Sequence, residues 1–131
     1  MIHMREDAMT LWVDGHAADR DETVTPESHD VCVMVTVLIG QLVTGIRKVC
    51  GESPALRISY GSFVLDKRQL SGKSRFLVTV FRTGMLELAD RYPRYLHIET
   101  IDQKEKQDME ERRQAFPDWR EYLVNPSGKG V

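Results

Sequence analysis

The chain is short of cysteine: its 131 residues contain two, Cys32 and Cys50. Two thiols cannot make the dense framework that staples small secreted domains, so both read as free cysteines in a reducing compartment. No run of 18 residues is uninterruptedly apolar, so no membrane-spanning segment is expected. Met1 to Asp7 holds no apolar core of the signal-peptide kind, and a cytoplasmic protein is expected. Neither sign of charge dominates. Eighteen basic against twenty acidic residues give a formal net charge of -2, which removes any global attraction for nucleic acid or anionic lipid. No paired Cys-x-x-Cys element occurs, so a zinc site from Cys32, Cys50, His16 and His29 is not expected, nor is any cofactor. There is no internal repeat.

What is present suits an ordinary globule. Hydrophobic residues make up 41% and charged residues 29%, and the length fits one domain. Met9 to Asp14 reads as a strand, with Met1 to Arg5 as its hairpin partner across Glu6-Asp7-Ala8. From Val31 to Ile46 the chain is almost continuously apolar. It is too long for a strand and reads as a buried helix, with Gly40 and Gly45 allowing close packing on a sheet. Two helix starts fit: Thr25 as cap with Pro26 in the first turn, or Ser28 or Asp30 capping a later start. Residues 55–60 and 62–66 read as strands about Gly61, either a hairpin or one bent strand. Gln69 to Lys73 reads as a turn. Phe76, Leu77, Val80, Phe81, Met85, Leu88 and Ala89 recur at helical spacing and predict a helix over 74–91, ended before Pro93. Tyr95 to Ile101 predicts a final strand. The order is β-β-α-β-(β)-α-β. It implies an α+β domain over 1–101: a small mixed or antiparallel sheet with two helices packed on one face.

Residues 102–131 form a C-terminal extension. Lys104 to Arg113 is a charge-dense helical candidate. Phe116, Trp119, Tyr122 and Leu123 recur at one-turn spacing, and such side chains are expected to pack on the domain, on a second copy or on a partner.

The segment carrying most chemistry runs from His16 to Cys32. A thiol and an imidazole need only converge in space to act as nucleophile and base. A histidine after a strand and a cysteine near a helix start satisfy that requirement. A late helix start would also bring helix amides close to the thiol and to a developing oxyanion. Taken alone, a cysteine in an apolar helix is more often a small core residue. Asp30 and Asp14 are the candidates for orienting His16, although Asp30 equally suits a helix cap. Between them, residues 17–30 carry five carboxylates and one arginine, a formal charge of -4. This segment is expected to be an exposed acidic loop, with Asp19, Asp21 and Glu22 shaping the approach of a basic substrate.

Gly15-His16-Ala17, then Asp30-Val31-Cys32 opening an apolar helix, resembles the ribosomal-processing cysteine protease family. Met85 to Tyr95, with its Tyr92-Pro93 end, is similar to that family's closing helix and following strand. The similarity covers about residues 1–101. It implies a homodimer, a nucleophilic Cys32 and a catalytic His16. It further implies a substrate protein, ribosomal or from a phage particle, with an N-terminal extension to be removed. The chain departs from the pattern in five places, two of them Thr36, where a serine is common, and residues 102–131, which are an addition. Asp30 stands two residues before the cysteine rather than three. Residues 18–29 lack glycine. Val33 and Met34 replace small residues. A noncatalytic dimeric binding or scaffold protein retaining the same fold is the alternative.

Overall fold

A computed structural model describes residues 1–18 and 23–99. Its first hairpin follows from alternation. In β1 (Ile2–Glu6) the residues Ile2, Met4 and Glu6 are buried while His3 and Arg5 are exposed. In β2 (Thr10–Asp14) Leu11 and Val13 are buried. The strands are antiparallel, with Met4 opposite Val13 and Glu6 opposite Leu11. The Asp7 carboxylate closes the turn by accepting the Met9 and Thr10 amides, each at 2.8 Å, as aspartate commonly does in turns.

The apolar segment is a helix, and the earlier start is the one adopted. The helix α1 (Pro26–Thr44) continues as a π-helical turn, Gly45–Val49. Thr25 caps it: its hydroxyl accepts the Ser28 amide and the Ser28 hydroxyl accepts the Thr25 amide. Proline at the first helical position costs nothing, because that amide has no partner inside the helix. Two expectations are corrected here. Residues 26–30 are helix rather than loop, and Asp30 is not the cap. Two further residues differ as well. Gly45 faces Leu77 of the second helix, not the sheet, and Gly40 has open space beside it.

By length and composition, Pro26–Val49 could also cross a membrane, with a mean hydropathy of 1.6 in its most apolar window. The expectation of no such segment rested on a stricter criterion, an unbroken apolar run. Thr36, Gly40, Gln41, Thr44 and Gly45 interrupt a strict apolar run but barely lower an average. In this fold Val31, Val35, Leu42, Val43 and Ile46 on the same helix belong to the core.

Strands β3 (Leu56–Ser59) and β4 (Ser62–Asp66) form a hairpin rather than one bent strand. Gly61 supplies a φ of +75° at the turn, a conformation other residues adopt at a cost. Helix α2 (Gly72–Arg91) starts earlier than its apolar spacing predicts, because Ser71 caps it and absorbs the expected turn. The Glu52 carboxylate accepts from the Ser71 amide at 3.1 Å and from the Ser71 and Ser74 hydroxyls, tying the chain after α1 to the start of α2. Strand β5 (Leu96–Glu99) then lies parallel to β1.

The sheet order is β3-β4-β2-β1-β5, mixed but mostly antiparallel, with both helices on one face. Phe63, Leu65, Leu11, Val13, Met4 and Leu96 point into that layer, against Val31, Val35, Val78, Phe81 and Met85. The predicted extension, 102–131, lies outside the described residues.

Candidate active site

The site forms where the end of β2, the start of α1 and the β3–β4 turn meet. Gly15 ends β2 with a φ of +101°, and a Cβ there would stand 2.4 Å from the Met1 carbonyl oxygen, so only glycine fits. Its amide donates to the Gly61 carbonyl at 2.8 Å. The strand end is thereby fixed to the β3–β4 turn just before His16.

Just after His16 the chain is fixed to the other wall. The buried Ala17 donates its amide to the Cys32 Sγ at 3.3 Å. Cys32 is half-buried, and His16 is exposed. Both line one cleft of about 880 Å³. Val24, Val35, Ile39, Ile58 and Phe63 give the cleft a mostly apolar wall.

The imidazole and the thiol share the cleft. Among the described residues no hydrogen bond joins them. The His16 ring instead leans on Tyr60, with ring centroids 4.6 Å apart and tilted by 40°. Its Nε2 faces the turn backbone, where a Cβ on Gly61 would come within 2.7 Å.

The helix start bears on the thiol directly. Cys32 is the seventh residue of a helix beginning at Pro26, about 9 Å along its axis. The expected influence of the terminal amides on the thiol fades within the first turn, so it does not reach this far. The backbone donor at the sulfur is the Ala17 amide, which the sequence reading did not single out.

Neither candidate orienting carboxylate is among the residues lining the cleft. Asp14 accepts from the Ser62 hydroxyl of the neighbouring strand at 2.9 Å. Asp30 is exposed and is not among the residues lining the cleft. Asp19, Asp21 and Glu22 lie outside the described residues. Tyr60, Gly61 and Ser62 also belong to the site but were not anticipated. Gly61 between two strands signalled a turn, but its place beside His16 depends on the pairing of β4 with β2. Among the described residues no group of three or more His, Cys, Asp or Glu side chains could hold a metal ion.

Neither the family models nor the curated proteins contain a match to this chain. Solved structures do. The chain shares the fold of a ribosomal-processing protease. The essential ribosomal processing protease Prp from S. aureus, in complex with a substrate peptide, superposes with a TM-score of 0.59 at 11% identity, over 75% of this chain and 95% of that one. Its complex with a covalently linked product peptide gives 0.58 at 12%, over the same shares. SMU.848 from Streptococcus mutans gives 0.62 at 17%, over 75% of this chain and 93% of that chain. Identities this low establish the architecture, and function has to be argued from the site.

Proposed function

We propose that the chain is a cysteine endopeptidase that removes a short N-terminal extension from a ribosomal or phage structural protein. The observation that carries this reading is the shared cleft: His16 and Cys32 line it together, and the Ala17 amide is directed at the sulfur. A donor aimed at sulfur suits a thiolate better than a thiol, because hydrogen bonds to charged acceptors are the stronger ones. The likeness to a protease solved with peptides adds support at the level of the fold.

The chemistry is thiol acyl transfer. Cys32 loses its proton to His16 and attacks the scissile carbonyl carbon. The tetrahedral adduct collapses with release of the new amine, which takes the proton from His16. Water, deprotonated by His16, then attacks the thioester and frees the acid and the Cys32 thiol. No cofactor enters these steps. A homodimer in a reducing compartment completes the proposal.

One observation favours the noncatalytic alternative: the His16 ring rests on Tyr60 rather than on the thiol. Incubating peptides that mimic N-terminal extensions with wild type, Cys32→Ala and His16→Ala separates the two readings. Mass spectrometry should find one cleaved bond with wild type and none with either variant. Binding without cleavage by wild type would establish the scaffold instead.

A further inference from the structure

The backbone around His16 is held at both ends. Gly15 is bonded to the β3–β4 turn and Ala17 to the sulfur of Cys32. With the chain fixed on either side, the side-chain torsions of His16 decide which wall its ring meets. The ring now lies on the turn, in the same cleft as the thiol.

Tyr60 has no folding reason to be aromatic. It is 95% exposed and contributes nothing to the core. The turn geometry comes from Gly61, whose positive φ is the demanding one. What the Tyr60 ring does touch is the imidazole, at 4.6 Å between centroids. The missing Cβ of Gly61 leaves the space that Nε2 faces, since a methyl group there would come within 2.7 Å of it. Tyr60 and Gly61 together therefore make a seat for the ring. Tyr60 also lines the cleft, so a peptide lying in the cleft competes with His16 for the same aromatic face.

We propose that Tyr60 is a positioning residue for His16: it holds the imidazole on the β3–β4 turn, off the Cys32 thiol, until a peptide occupies the cleft. This rests on reading the cleft as a peptidase site. A single aromatic contact shifts such a two-position equilibrium by about two- to tenfold. The device thus tunes a resting enzyme and does not block it.

The test is alkylation of Cys32 by iodoacetamide without peptide, followed residue by residue, in wild type, Tyr60→Ala, Tyr60→Phe and the double variant Tyr60→Ala with His16→Ala. Because Tyr60 is exposed, its removal leaves the fold intact. Tyr60→Ala should react about two- to tenfold faster than wild type. Tyr60→Phe, which keeps the ring, should match wild type. The double variant should show no gain over His16→Ala alone. Proton NMR should find the His16 ring signals displaced upfield by the Tyr60 ring in wild type and relaxed in Tyr60→Ala, a signature that general loosening of the cleft would not give. An unchanged rate in Tyr60→Ala, or a gain that persists without His16, overturns the proposal. Faster alkylation through His16 with no peptide cleaved by wild type would keep the positioning role and remove the peptidase reading. Cleavage by wild type with alkylation unmoved by Tyr60→Ala would remove the positioning role alone.

Discussion

The two ends of the β1–β2 ladder handle polar groups in opposite ways. At one end Glu6 is buried beneath the sheet with its carboxylate fully engaged. It accepts from Lys67 Nζ at 2.7 Å, from Arg82 Nη2 at 2.8 Å and from Arg82 Nε. At the other end His16 is exposed, Cys32 is half-buried, and no bond joins them. A buried charge must be paired to be tolerated at all, so the Glu6 end is a fixed joint between β1, the segment after β4, and α2. Reactive groups have the opposite need. On the proposed peptidase reading they must stay available to a substrate, and the fold fixes the backbone on either side of His16 while leaving its side chain exposed. The contrast is between a buried, charge-paired joint at one end and, at the other, an exposed imidazole sharing a cleft with a thiol bonded to a backbone amide.

The strongest way to break this contrast is at the paired end. Glu6→Ala leaves Lys67, itself 7% exposed, buried without a counter-charge, and should cost about 3–5 kcal/mol in urea unfolding. A loss below about 1 kcal/mol would mean that the cluster is solvated and that the two ends do not differ.

Acid should act on the same end. Burial pushes the Glu6 carboxyl up, but the bonds from Arg82 and Lys67, with their positive charges, outweigh it and hold it below the usual 4.5. A carboxyl lowered on folding stabilises the protein above its unfolded value, and that contribution is lost as pH falls through the lower folded one. Stability should therefore be level above 4.5 and decline below it as Glu6 takes up its proton. The acid-side decline should be shallower in Glu6→Gln, measured by unfolding across that range.

At the cleft end the expected effects are smaller. Thr25→Ala removes the cap of α1, which positions Cys32, and should cost about 1 kcal/mol. Ser62→Ala removes one bond to Asp14 and should cost about 0.5–1.5 kcal/mol in the same measurement. Because Asp14 bonds to Ser62 and is not among the residues lining the cleft, Asp14→Asn should leave peptide cleavage near the wild-type rate. A loss as deep as that of His16→Ala would restore Asp14 as the orienting group.

Much of the fold was legible because its signals are local. Alternation placed Leu11 and Val13 inward, apolar length identified α1, and helical spacing identified α2. The start of α1 was open because Thr25 and Asp30 both satisfy the capping preference. The reciprocal bond between Thr25 and Ser28, with Pro26 behind it, decides the matter. What was not legible depends on distant partners. Glu6 looked like part of a turn, yet its partners lie 61 and 76 residues away. His16 and Cys32 were legible through their places, one after a strand and one near a helix start, and through a family resemblance. Tyr60 carries no motif, and only the folding of the β3–β4 hairpin against the end of β2 brings it to the histidine.

The central claim is that Cys32 and His16 work as a pair, whereas Cys50, also half-buried, is a bystander. Labelling both thiols of the wild-type protein with iodoacetamide, and resolving the two rates by peptide mass spectrometry, tests this most directly. The account predicts that Cys32 reacts faster than Cys50 and that His16→Ala removes the advantage while leaving the Cys50 rate unchanged. Equal rates at the two thiols, indifferent to His16→Ala, would contradict it.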